Sequence, residues 1–185
     1  MNNKYYIFLD IDGTLWDLSI NPYLITSPQK LKKESIDAVN NLIDGLKNKG
    51  FKPHLVITSG MRSHWNTCSE TLFVNGINPK IPMQPLFVNK RFSRGEKIAI
   101  FLHDKHNGKK HPQQREVTFS DHFKTNFAKK ANNYVVIDDS LDKLSNIPNH
   151  HIIETNLYTG ALNNEMVINY LENISPYIDE SEYEL

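Results

Sequence analysis

Short apolar runs alternate with amphipathic segments along this chain. Tyr5-Tyr6-Ile7-Phe8-Leu9 is apolar without polar alternation and stops at Asp10. Such a run suits a central strand buried on both faces of a parallel sheet. A long helix is predicted next, with Ser27 as N-cap and Pro28 at the first helical position. Leu31, Ile36, Val39, Leu42, Ile43 and Leu46 recur at helical spacing, and Gly50 closes the segment. Phe51 to Ile57 reads as a second strand that breaks at Thr58-Ser59-Gly60. Arg62 to Val74 predicts a helix, Leu86-Phe87-Val88 a short strand, and Glu96 to Leu102 another helix. From His103 to Ser120 the pattern fails. That stretch is polar, basic and rich in histidine, with Gly108 and Pro112 as breakers, and reads as an insertion or a mobile loop. A helix over about Asp121 to Ala131 follows, then the apolar strand Tyr134-Val135-Val136-Ile137, which ends at Asp138-Asp139. A strand around His151 to Ile153 and a helix from Glu165 to Ile174 complete the series.

Strands alternating with helices predict an α/β, three-layer, Rossmann-like domain with a mostly parallel central sheet. One domain over residues 1–178 is expected, with 103–120 as its insertion and 179–185 as an acidic tail. Lys plus Arg and Asp plus Glu both number 21, which argues against a partner held by global electrostatics but leaves a local basic patch open. Cys68 is the only cysteine, so no internal disulfide can form, and a cytoplasmic location is expected. The five-residue run at Tyr5 is too short for a secretory signal, and nothing approaches the roughly 20 apolar residues of a membrane helix.

Three of the predicted strands end in polar residues: Asp10-Ile11-Asp12-Gly13-Thr14, Thr58-Ser59-Gly60 and Asp138-Asp139-Ser140. Ligands of open α/β sheets bind beyond the carboxyl ends of the strands, so these carboxylates, hydroxyls and free amides should gather at one edge. The Asp-x-Asp-Gly-Thr run after a hydrophobic strand resembles the first signature motif of the haloacid-dehalogenase (HAD) superfamily, most of whose members remove phosphate. Thr58-Ser59-Gly60 resembles its second motif and Asp138-Asp139 its fourth, in the same chain order. Arg62 after Thr58-Ser59-Gly60-Met61, the run Arg94-Gly95-Glu96-Lys97-Ile98, and Thr155 with Thr159-Gly160-Ala161-Leu162 are similar to the capless HAD domain attached to RNA-repair proteins.

The resemblance implies a Mg²⁺-dependent phosphohydrolase. Asp10 would attack phosphorus and form an aspartyl phosphate, while Asp12 would act as general acid and then base. Asp10, the Asp12 backbone carbonyl and Asp138 would supply oxygen ligands to Mg²⁺, with Asp139 as a direct or outer ligand. Gly13, Thr14, Gly60 and Arg62 are the candidate phosphate contacts. A hydroxyl from Thr58 or Ser59 would hold a phosphate oxygen, with Ser59 slightly preferred. The lysine that neutralises phosphate would be Lys97, with Lys124 as its rival. The short segments between motifs leave no room for a large cap, so the site should be open. In this superfamily that implies a large substrate, such as a polynucleotide end or a phosphoprotein, or a lid supplied by a partner. The phosphorylated substrate is expected to be a small molecule, a nucleotide or a polynucleotide end. Oligomeric state is not legible.

Plainer readings compete. His103, His106, His111 and His122 invite a zinc site, but their irregular spacing favours a surface loop. Trp16 and Trp65 are candidates to stack on a base, but packing is the commoner role for such residues. Lys105, Lys109, Lys110 and Arg115 form a basic run that is more often merely solvated. A non-catalytic binding module with the same fold is the alternative function, and the intact Asp10/Asp12 pair argues against it. A phospho-accepting receiver domain fits poorly, because its acidic residues fall in a different order.

Overall fold

A computed structural model of the protein describes residues 3–15, 30–109, 119–156 and 161–177. Five parallel strands form one sheet in the order β3-β2-β1-β4-β5. They are β1 (Lys4–Leu9), β2 (Lys52–Ile57), β3 (Met83–Pro85), β4 (Tyr134–Asp138) and β5 (Ile152–Glu154). The expected α/β class and parallel sheet are both present, and no separate cap domain occurs among the described residues. No helix there is long and apolar enough to cross a membrane.

Side chains of successive strand residues point to opposite faces, and this chain fills both faces with apolar groups. Tyr5, Ile7 and Leu9, with Leu55, Ile57, Val135 and Ile137, face one core. That core is covered by α1 (Lys33–Asn48), α2 (Trp65–Val74) and α4 (Asn164–Glu172). Phe8, Val56, Tyr134 and Val136 face a second core, covered by α3 (Arg94–His106). Trp65 packs against the first core, as its plainer reading holds. Trp16 lies outside the described residues.

Several element boundaries move for identifiable reasons. α1 begins at Lys33, after an extended Lys32 with no side-chain cap; the predicted cap at Ser27 and Pro28 lies outside the described residues. Its end at Gly50 is as expected, with φ of +86°. The segment after Ser59 opens as a 3-10 turn over Gly60–His64 before α2 takes over. β3 sits three residues earlier than predicted, because Leu55–Ile57 of β2 pair with Met83–Pro85, although Leu86 still donates its amide to Ile57 O at 2.8 Å. α4 ends two residues before the predicted Ile174.

The histidine-rich stretch is helical at its start. α3 continues to His106 because His103 and His106 both lay their rings against Phe127, 5.2 and 5.4 Å between centroids, and Lys105 lies over Phe101. The predicted helix at 121–131 is instead two 3-10 turns, Phe119–Lys124 and Phe127–Lys130. Asn146 Nδ2 donates to the Thr125 carbonyl at 2.6 Å between them, and Thr125 turns its hydroxyl onto His122 O. Those bonds compete with a continuous helical ladder. His111, Lys110, Arg115 and the tail at 179–185 lie outside the described residues.

The N-terminus of α3 lies hard against the loop that follows β4. A Cβ on Gly95 would fall 2.1 Å from Asn146 Oδ1 and 3.2 Å from the Lys143 carbonyl. Asn146 is anchored through its other amide atom, so it cannot easily retreat. Alanine favours a helix over glycine by about 1 kcal/mol, but overpacking costs roughly 1–3 kcal/mol, and the clash decides the sign. Gly95→Ala is expected to lower unfolding free energy by about 1–2 kcal/mol in urea titration; an unchanged or higher midpoint would show that the contact gives way.

Candidate active site

Strand parity builds the site. Leu9 pairs with Ile57 on one side and Ile137 on the other. The ladder runs one step further, with Thr58 N donating to Leu9 O at 2.9 Å and Asp10 N to Ile137 O at 3.0 Å. Asp10, Thr58 and Asp138 therefore stand side by side. Each is an even step from Phe8, Val56 or Val136, so all three side chains belong to the face covered by α3. That helix brings Arg94 and Lys97 from its first turns. Ser93 caps it, accepting from Glu96 N while Glu96 accepts from Ser93 N.

Arg94 is the hub. Its Nη1 donates to Asp10 Oδ2 at 2.6 Å and also to Asp138 Oδ2. Both carboxylates are buried, at 3% and 0% exposure. Burial raises Asp10 above the ordinary carboxylate range, with Arg94 opposing the rise and Asp138 and Asp12 adding to it. Burial likewise raises Asp138, again against Arg94. Asp138 Oδ1 accepts from Ser140 N at 2.9 Å, and Asp139 accepts from the Ser140 hydroxyl. One oxygen from each of Asp10, Asp138 and Asp139 lies within 4.8 Å of the others. An all-oxygen donor set suits a hard divalent cation such as Mg²⁺. A guanidinium already bridging two of the three shows that the cluster takes positive charge.

The Asp12 carboxylate stands apart from that cluster and accepts from the Ser59 hydroxyl at 2.7 Å. Ser59 Oγ also accepts from Met61 N, capping the 3-10 turn. Thr58 Oγ1 is buried and has no hydrogen-bond partner among the described residues. Gly13 turns the chain at φ +72°, a conformation glycine adopts without strain. Thr14 is engaged internally, its amide by Ile11 O and its hydroxyl by Thr155 at 2.9 Å. Leu162 N donates to Thr14 O, so two pieces of the C-terminal pattern land beside the first motif. A Cβ at Gly60 would meet nothing within 4 Å.

The two lysines separate clearly. Lys97 is 9% exposed and lines a cleft of about 420 Å³ together with Arg62, Lys90, Arg94 and Lys143. Among the described residues its Nζ donates to Asn89 O alone, at 3.4 Å. Burial, then Arg62 and Arg94, pull its pKa down to about 8. Lys124 is held elsewhere, by Asp121 at 2.6 Å and Asp104 at 3.4 Å. Arg62 turns back onto the Thr58 and Ser59 carbonyls while lining the same cleft.

Sequence reasoning missed the central place of Arg94, and the cleft contribution of Lys90 and Lys143. Arg94 stood in a recognised motif, but nothing in the string says that it spans two strand ends. Residues 6–167 match the family described as the HAD domain in Swiss Army Knife RNA repair proteins. No curated protein and no solved structure matches the chain.

Removing the bridging cation leaves two buried carboxylates facing each other, and breaking such a pair costs about 3–5 kcal/mol. Arg94→Gln in chelator should lose roughly that much near pH 7.5. An acid whose folded pKa is raised loses stability as pH rises toward that value, and loss of Arg94 raises both further. The deficit should therefore shrink on moving to pH 5. Urea titrations giving the same deficit at both pH values would contradict the bridging role.

Proposed function

The chain belongs to the HAD-domain family of Swiss Army Knife RNA repair proteins, and from that membership we propose that it is a Mg²⁺-dependent phosphomonoesterase working through an aspartyl phosphate on Asp10. The reading rests above all on the meeting of Asp10 with Asp138, Thr58 and Arg94 at the carboxyl edge of the sheet, with Lys97 in the cleft that Arg94 also lines. Nucleophile, oxygen-donor cluster, unengaged hydroxyl and buried cations lie within one short arc of the fold.

In this account Asp10 attacks phosphorus as the bond to the leaving oxygen breaks, and Asp12 gives that oxygen its proton. Water then attacks the acyl phosphate, Asp12 takes the proton back, and inorganic phosphate leaves. Ser59 orients Asp12 through its 2.7 Å hydrogen bond. Thr58, whose hydroxyl has no other partner among the described residues, donates to a non-bridging phosphate oxygen. That assignment reverses the slight preference for Ser59. Lys97 neutralises the phosphate from the cleft wall. Asp10, Asp138 and Asp139 would hold Mg²⁺, which when bound screens the repulsion between carboxylate and phosphate. Gly60, where a Cβ would meet nothing within 4 Å, leaves backbone open to approach, and Gly13 supplies the turn. The substrate is a nucleotide or the phosphorylated end of a nucleic acid.

Phosphate release is the test, measured over small esters, nucleotides, and DNA or RNA with 3′ or 5′ phosphates. Chelator and Asp10→Asn should each abolish it. Asp12→Asn should lower the rate by about 10²–10⁴-fold, and Thr58→Val by about a hundredfold. A folded chain that releases nothing from the panel would support the binding-module alternative.

The alkaline limb of the pH profile belongs to Lys97. Its proton, and with it the phosphate-binding charge, is lost as pH rises through about 8. Because kcat/KM reports the free enzyme, that quantity should fall above this pH. Lys97→Arg should remove the limb, since arginine keeps its proton there. A profile whose limb is the same in both proteins would assign it elsewhere.

A further inference from the structure

The cleft beside Asp10 carries more positive charge than one transferred phosphate uses. Five cationic residues line its volume of about 420 Å³, and among the described residues no carboxylate does. That volume lies in the range of ligand-binding clefts, roughly 300–1,000 Å³. The charge of Arg94 is balanced by Asp10 and Asp138. Arg62 donates to the Thr58 and Ser59 carbonyls, and Lys97 is the residue assigned to the transferred phosphate. Lys90 and Lys143 are left over. They come from different segments, one before α3 and one after β4, and both are exposed. The Lys143 ammonium donates to the neutral Ser140 hydroxyl at 3.3 Å. Gly95 lets the Lys143 backbone close on the first turn of α3, so this lysine is brought to the cleft by packing. Val88, 46% exposed, offers apolar surface in the same wall.

We propose that Lys90 and Lys143 form a second anion subsite, which holds a phosphate of the substrate other than the one transferred. The substrate class is then a compound with at least two phosphates, a conclusion that rests on the phosphatase reading of Asp10. The second phosphate has two chemical sources. A nucleoside 3′,5′-bisphosphate carries it as a terminal dianion, and a 3′-phosphorylated dinucleotide carries it as a backbone diester.

Equilibrium binding separates this inference from turnover. The full chain is titrated calorimetrically, without divalent metal, with those two compounds and with a nucleoside 3′-monophosphate. At least one of the first two should bind about tenfold tighter than the monophosphate, a gain typical of a charge-assisted contact, and the one that does identifies the source. In the double variant Lys90→Gln/Lys143→Gln the preference should fall to within about twofold. In Lys105→Gln/Lys109→Gln, which removes equal charge at the far end of α3, it should persist. Equal affinities in the unmodified chain, or a preference that survives the first double variant, would overturn the subsite. Phosphate release from all three compounds with Mg²⁺ is followed in parallel. Its absence from every one of them would overturn the phosphatase reading, while the affinity ratio still decides the subsite.

Discussion

Two buried carboxylates on neighbouring strands, Asp10 and Asp138, repel each other wherever both are ionised, and the low polarity around them magnifies that repulsion. The fold meets this with Arg94, carried in on the first turn of α3 and donating to both. The position of α3 depends in turn on the Ser93–Glu96 cap, on a glycine that lets the helix approach the loop after β4, and on the apolar face made by Ile98, Phe101 and Leu102. Electrostatics and packing thus constrain the same helix. The cost of burying the acids is offset locally, and the resulting cluster keeps oxygens turned toward a common point.

Charge in this protein is arranged rather than accumulated. The formal net charge is zero, yet one cleft gathers five cationic residues beside three carboxylates. Such juxtaposition is the general requirement of phosphoryl transfer, where a negative nucleophile must approach a negative ester. The hydroxyls divide similarly. Ser59 is bound to Asp12 and to the cap of the following turn, and Thr14 to Thr155, while the Thr58 hydroxyl has no partner among the described residues.

The fold was legible where physics is local. Apolar runs without alternation marked β1 and β4, whose buried faces leave no place for polar side chains, and the terminal glycine of α1 marked a helix end. Strand-end acids could be placed at one edge because parallel sheets put them there. Long-range choices were not legible. The two-histidine extension of α3 onto Phe127, the break at Thr125 imposed by Asn146, and the three-residue shift of β3 all depend on partners distant in the chain. The same holds for the lysines. Lys97 and Lys124 look alike in sequence, and only packing sends one to the cleft and the other to Asp121. The basic cleft was hidden for that reason too, since its members come from four separate segments and not from the basic run that sequence singled out.

The central claim is that Asp10 itself carries the phosphoryl group. It is tested most directly by trapping the intermediate during turnover, reducing the acyl phosphate with borohydride, and locating the product by peptide mass spectrometry. The account predicts homoserine in place of aspartate at position 10, formed only with substrate and Mg²⁺. Steady phosphate release with reduction at another aspartate, or with none, would contradict it.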